Sequence, residues 1–161
     1  MTSTLILGLG NPILTDDGVG ILVVREVKAQ LLSRTRPAGE AKPGTCFAEA
    51  SVGGFRLLEV LAGHDRAILV DAIQTPGGTP GAIYRLRVSD LRTSLHSGST
   101  HDLTLTGALT LGRALGMALP TDEAIMIVAV EVADVLTFGE GCTPEVDAAI
   151  PEAVRLVLEL A

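Results

Sequence analysis

The sequence predicts an α/β protein: a single three-layer domain over residues 1–161, with a mostly parallel, twisted sheet of about five strands and helices on both faces. Three observations lead there. Short apolar runs of strand length alternate with segments of helical periodicity along the whole chain, as in successive strand–helix–strand units. The runs at residues 4–9 (TLILGL), 66–72 (RAILVDA) and 124–130 (AIMIVAV) are nearly continuous in apolar residues, as strands covered on both faces are. A chain of 161 residues is long enough to bury one core of ordinary size.

The elements follow in order. Residues 4–9 end at glycines and read as a buried strand. After the loop GNPILTD, Asp16 is placed to N-cap a helix reaching about Leu32, with Val19, Leu22, Val23, Val27 and Leu31 on its inner face. Residues 33–45 are rich in Pro, Gly and charge, a surface loop. Residues 46–50 form a second strand. Gly53 and Gly54 then lead into a helix to about Ala62, stopped by Gly63. The third strand, residues 66–72, carries Asp71 near its end. A Pro/Gly loop (TPGGTPG) precedes residues 82–88 (AIYRLRV), whose pattern suits a partly exposed edge strand. Residues 89–100 are polar and irregular, residues 101–117 a Leu/Ala/Gly helix, and residues 124–130 the last strand. Thr143-Pro144-Glu145 supplies an N-cap, a first-turn proline and an early acid. Helical spacing then runs to the end, with a kink expected at Pro151.

Composition excludes several classes. Hydrophobic residues make up 47% of the chain and mean hydropathy is +0.44. The longest apolar stretch, residues 124–130, falls far short of the roughly 20 residues a membrane helix needs. The first 24 residues contain no Lys or Arg and their apolar run is interrupted by Gly8 and Gly10, unlike a secretory signal. A cytoplasmic location without membrane association is the expectation. The net charge of −7 is unevenly spread: from Ala114 onward there are nine acids and one base. No basic stripe is available to follow a phosphate backbone, so nucleic-acid binding is not expected. Cys46 and Cys142 are too few and too separated for a disulfide scaffold or a metal motif, and both are expected as buried thiols.

In open α/β sheets ligands bind at the carboxyl ends of strands, near a reversal of strand order. Asp17, Glu49 and Asp71 fall at such ends, and His101 opens a helix after a long polar loop. Taken singly, Asp17 suits a first-turn acid favoured by the helix dipole, Asp71 a strand-end acid bonded to a loop, and His101 a surface histidine. Asp16 suits a cap, while Glu131 and Asp134, flanking the last strand's end, suit solvated acids. His64 and His96 suit the surface.

The opening GLGNP has a glycine pair after a strand, but Ile13 stands where a dinucleotide fingerprint needs its third glycine, so tight-turn packing is the better account. GLGNP also begins peptidyl-tRNA hydrolases, which continue with a Tyr and a Thr-Arg-His-Asn segment absent here. No G-x-S-x-G elbow for a serine hydrolase occurs.

The run GLGNPILTDDGVG at residues 8–20 instead resembles the opening of hydrogenase maturation proteases. The resemblance continues in order through EASVGGFRLLEVL (residues 49–61), AILVDAI (67–73), STHDLTL (99–105) and GCTPEVDAAIPEAV (141–154). It implies an endopeptidase that recognises nickel already installed in the large-subunit precursor of a nickel–iron hydrogenase and removes the precursor's C-terminal extension. Carried residue by residue, the family's two carboxylates fall on Asp17 and Asp71 and its histidine on His101, the set expected both to contact metal and to act in cleavage. Many members have Glu where Asp17 stands, and the acid before the glycine pair is here Glu49-Ala50-Ser51 in place of the frequent Asp-Gly.

Imidazole suits nickel and carboxylates can complete its coordination. The same carboxylates can activate a water, as aspartic-type acid and base or beside a metal. Nickel is expected to arrive with the precursor and to be held by the chain only in passing. The competing expectation from another class is a checkpoint protein that senses the nickel-loaded precursor without cutting it.

Overall fold

The computed structural model describes residues 2–34, 44–51, 55–93 and 100–161, with the backbone alone for residues 34, 55, 92, 93 and 100–104. Its strands are β1 (Thr4–Leu9), β2 (Thr45–Ala50), β3 (Arg66–Ile73), β4 (Ile83–Arg87) and β5 (Ile125–Glu131). They form one sheet in the order β2-β1-β3-β5-β4. All neighbours run parallel except β4, which pairs antiparallel with β5 at the edge. The helices are α1 (Val19–Arg34), α2 (Phe55–Leu61), α3 (Val88–Thr93), α4 (Thr100–Ala114) and α5 (Pro144–Leu160).

Alternation along each strand divides the core into two layers. Leu5, Leu7, Ala67, Leu69, Ile125 and Ile127 face one way, onto Leu58 and Leu61 of α2 and Leu105 and Leu109 of α4. Ile6, Ile68, Val70, Val128 and Val130 face the other, onto Val23 and Val27 of α1 and Val146, Ala153 and Val157 of α5. This two-sided cover explains why β1, β3 and β5 are apolar at nearly every position.

Several local expectations are corrected. The first helix begins at Val19, after a 3-10 turn at Thr15–Gly18, and Asp16 caps neither. Residues 88–93, expected to be irregular, form α3; Asp90, in its first turn, accepts the Arg87 N–H at 2.6 Å. The helix expected to reach Met117 stops at Ala114, because Gly116 takes φ +79 and turns the chain. α5 runs from Pro144 to Leu160 with Pro151 inside it, as the sequence places it. Cys46 is exposed, on an edge strand that α1 and α2 do not fully cover, and Cys142 is only half-buried. His64 is tied to Ser3, whose hydroxyl lies 2.8 Å from Nδ1. Gly53, Gly54 and His96 lie outside the described residues. Among the described residues no helix is long and apolar enough to cross a membrane.

Candidate functional site

The strand order reverses at β1. The chain leaves β1 through α1, on one face, to reach β2 on one side; it returns through α2, on the opposite face, to β3 on the other side. The carboxyl ends of β1 and β3 therefore lie side by side where the strand order reverses, and the gap between chain segments leaving such ends receives ligands.

Asp17 stands on the β1 side of that gap. Its carboxylate accepts the Asn11 N–H at 2.9 Å, and its own N–H donates to Leu14 O at 2.8 Å, so a short turn holds it. Two glycines permit the turn. A Cβ on Gly10, which has φ +128, would sit 1.9 Å from Asp17 O. A Cβ on Gly20 would sit 2.2 Å from Val70 O and 2.6 Å from Leu9 O. The start of α1 is therefore wedged onto β1 and β3, and the 3-10 turn bearing Asp17 lies against β3. The expectation that the Gly8 and Gly10 pair serves tight packing holds, since a Cβ on Gly8 would likewise sit 2.7 Å from Gly20 O.

Asp71 stands on the β3 side, one residue past Val70 and in register with Ala129 of β5. It is 8% exposed, and its Oδ1 accepts the Ala72 N–H at 2.8 Å. Alternation puts it on the face shared by Leu69 and Ile73, which is the α2 and α4 side. Position 101 lies in the first turn of α4, one turn before the buried Leu105; the His101 side chain is outside the described residues. Among the described residues no three His, Cys, Asp or Glu side chains form a group able to hold a metal ion.

Four other acids are placed in structural work. Asp16 is completely buried, and its carboxylate accepts the N–H groups of Ala133 (3.0 Å), Asp134 (3.0 Å) and Thr143 (2.7 Å) together with the Thr143 hydroxyl (2.9 Å). Thr143 is thus the backbone N-cap of α5, with its hydroxyl committed to Asp16. Glu131, expected as a solvated acid, is 2% exposed and accepts the Thr75 N–H at 2.7 Å and its hydroxyl at 2.9 Å, pinning the loop between β3 and β4. Asp134 does lie at the surface, where the Thr137 hydroxyl and the Thr137 and Leu136 amides hold its carboxyl below the usual range. Glu49 forms a two-pronged ion pair with Arg25 of α1 at 2.8 Å, which lowers its pKa. No local pattern marked Asp16 or Glu131 for these roles, since every partner lies at least 56 residues away.

Thr15 carries the one positive φ among the described non-glycine residues, at 37°. Such backbone costs about 1–3 kcal/mol and persists where its surroundings fix it. Here the Thr15 N–H donates to Gly139 O at 3.1 Å and its hydroxyl to Thr137 O at 2.5 Å.

Comparison with known proteins adds the following. A sequence model of the hydrogenase maturation protease family (HycI) matches residues 13–160. The hydrogenase 2 maturation protease of Escherichia coli (strain K12) is 27% identical over 155 residues, which cover 96% of this chain and 87% of that protein. Among solved structures, the hydrogenase maturating endopeptidase HybD from E. coli superposes with a TM-score of 0.75 at 27% identity, covering 99% of this chain and 91% of that one. The [NiFe] hydrogenase maturation protease HybD from Thermococcus kodakarensis gives 0.73 at 24% identity, covering 99% of both chains, a likeness of fold.

Proposed function

The chain belongs to the hydrogenase maturation protease family, and we propose that it is the endopeptidase that recognises nickel in the large-subunit precursor of a nickel–iron hydrogenase and removes that precursor's C-terminal extension. The observation that carries the proposal is the placement of Asp17 and Asp71 on either side of the β1–β3 switch point. Two carboxylates there, one in a fixed turn and one at a strand end, are the groups a peptide hydrolase needs to move a proton.

Nickel enters this account as part of the substrate. Asp17, Asp71 and His101 form the set that would meet it, carboxylate oxygens and imidazole both being suitable donors. α4 ends near the amino end of β3, where the Gly63 N–H donates to Ala118 O at 2.9 Å. Its 15 residues give a helix about 22 Å long, enough to bring position 101 back to the carboxyl end of the sheet.

In the hydrolytic step a carboxylate takes a proton from water as the water oxygen adds to the scissile carbonyl carbon. The carbon–nitrogen bond then breaks and the departing amine receives the proton. A positioned general base contributes about 10²–10⁴-fold in rate. In an aspartic-type route Asp17 and Asp71 divide the acid and base roles. In a metal-assisted route the substrate's nickel also orients the water or the carbonyl.

Incubating the purified chain with nickel-loaded and nickel-free precursor, with intact mass recorded for both, tests the proposal. Loss of a C-terminal peptide from the loaded form alone is expected. Absence of cleavage overturns the endopeptidase reading; tight binding of the loaded form without cleavage would make the chain a nickel-sensing checkpoint.

A further inference from the structure

Three large apolar side chains are displayed at the carboxyl end of the sheet: Ile13 is 50% exposed, Leu136 84% and Phe138 78%. Single exposed apolar residues are ordinary, but these three sit on two loops joined into one unit. Leu14 and Gly139 form a parallel bridge, and the Gly139 N–H donates to Ile13 O at 3.0 Å. The bridge sets Ile13 abreast of Phe138. Beneath them, Asp16 fastens Ala133, Asp134 and Thr143 to the same turn. The apolar surface is therefore mounted on backbone anchored on both sides, and a fixed, clustered apolar surface marks a contact with another protein.

The charge carried by these two loops and their flanks has one sign. Residues 8–18 and 131–147 together contain seven acids and no Lys or Arg. Asp16 and Glu131 are buried and bonded internally; Glu140, Glu145 and Asp147 are exposed, and Asp17 and Asp134 are partly so.

We propose that this loop pair docks the folded large-subunit precursor, seating a surface segment whose apolar side chains are flanked by Lys or Arg. The inference rests on the endopeptidase reading above and adds to it a recognition surface beyond the carboxylates. Continuity with the site favours this occupant: Ile13 and Asp17 share one turn, so a protein seated on Ile13 and Phe138 lies against Asp17. The all-acid loops suit a basic segment, and they disfavour a second copy, which would set the same acids against one another. Binding energy gathered away from the scissile bond is also how an enzyme selects one bond in a large folded client.

The test uses the Leu136→Ser/Phe138→Ser double variant, with Leu111→Ser/Leu115→Ser as a control. Leu111 and Leu115 are also exposed, but they lie at the far end of α4. Substituting side chains this exposed leaves the fold intact. The KM, kcat and Kd of each protein are measured with purified nickel-loaded precursor at low and high salt. For Leu136→Ser/Phe138→Ser the account expects KM and Kd to rise at least about tenfold, with kcat at saturation nearly kept. The control should match wild type, and wild-type affinity should fall with salt. Wild-type KM in the Leu136/Phe138 variant overturns the docking surface while leaving the endopeptidase reading standing. A wild-type protein that neither binds nor cleaves precursor overturns both. A wild-type dimer that the variant converts to monomer, with KM unchanged, assigns the patch to self-association and overturns the proposal.

Discussion

The Asp16 carboxylate accepts both the backbone N–H and the hydroxyl of Thr143, at 2.7 and 2.9 Å, joining the loop after β1 to the start of α5. Its sequence neighbour Asp17 instead turns back to the Asn11 N–H beside the switch point. One acid of the pair holds the frame and the other is presented on it.

Asp16→Ala should therefore be a stability mutant. It orphans three N–H groups and a hydroxyl, and each buried donor left unmet costs about 1–3 kcal/mol. A loss of roughly 3 kcal/mol or more corresponds to a Tm drop of about 6–12 °C in a chain this size. Thr143→Val, which removes the hydroxyl alone, should cost about 1 kcal/mol. Thermal unfolding of the two variants checks this; an Asp16→Ala protein melting with wild type would show that the network contributes little.

Glu49 is expected to be dispensable for cleavage. Arg25 lowers its pKa, chiefly by hydrogen bonding, so the pair's stabilisation is present above the ordinary carboxylate value and fades as pH falls through the lowered one. Both side chains are largely in water, at 54% and 40% exposure, and such pairs contribute under about 1 kcal/mol. Glu49→Gln should process precursor at the wild-type rate and lose that small stability at neutral pH, with the difference vanishing in acid. A cleavage defect of about a hundredfold, the scale of a lost general base, would move Glu49 into the site.

The two cysteines should separate by reactivity. Burial, then Asp16 and Asp147, push the Cys142 thiol up to about 11, so about one molecule in a thousand is thiolate at pH 8. Cys46 is exposed. Iodoacetamide at pH 8 followed by peptide mass mapping should find Cys46 modified first; faster labelling of Cys142 would contradict its half-buried, acid-flanked setting.

The layer architecture was legible because buried parallel strands cannot alternate with polar residues, so β1, β3 and β5 announce themselves. α3 was not legible: Val88 and Leu91 are too short a run to show helical period, and their burial against the sheet decides the matter. Asp17 and Asp71 could be placed at strand ends from sequence, while the adjacency of those two strands, β1 and β3, came from the strand order. Asp16 and Glu131 escaped because their meaning lies in donors far along the chain. A double acid before a helix looks the same whether it caps or clamps.

His101→Ala should strongly weaken processing and leave the fold intact. The histidine opens α4 ahead of the buried Leu105, so under the proposed function its loss takes away a donor for the substrate's nickel, and it takes away none of the described core. Cleavage assays and thermal melts on one preparation check this. A normal cleavage rate would remove His101 from the site.

Asp71→Asn tests the central claim most directly, because it keeps the side chain's shape while removing its charge. A neutral amide is a poor metal donor and cannot take up a proton, so a base or ligand role predicts a loss of at least about 10²–10⁴-fold. A merely structural carboxylate would instead cost roughly 1–3 kcal/mol of stability, with activity per folded molecule kept. The measurement is cleavage of nickel-loaded precursor and thermal unfolding on the same sample of Asp71→Asn protein. The account predicts near-complete loss of cleavage with a Tm close to wild type or above it. Normal cleavage by a destabilised protein would contradict it and leave the β1–β3 gap without its chemistry.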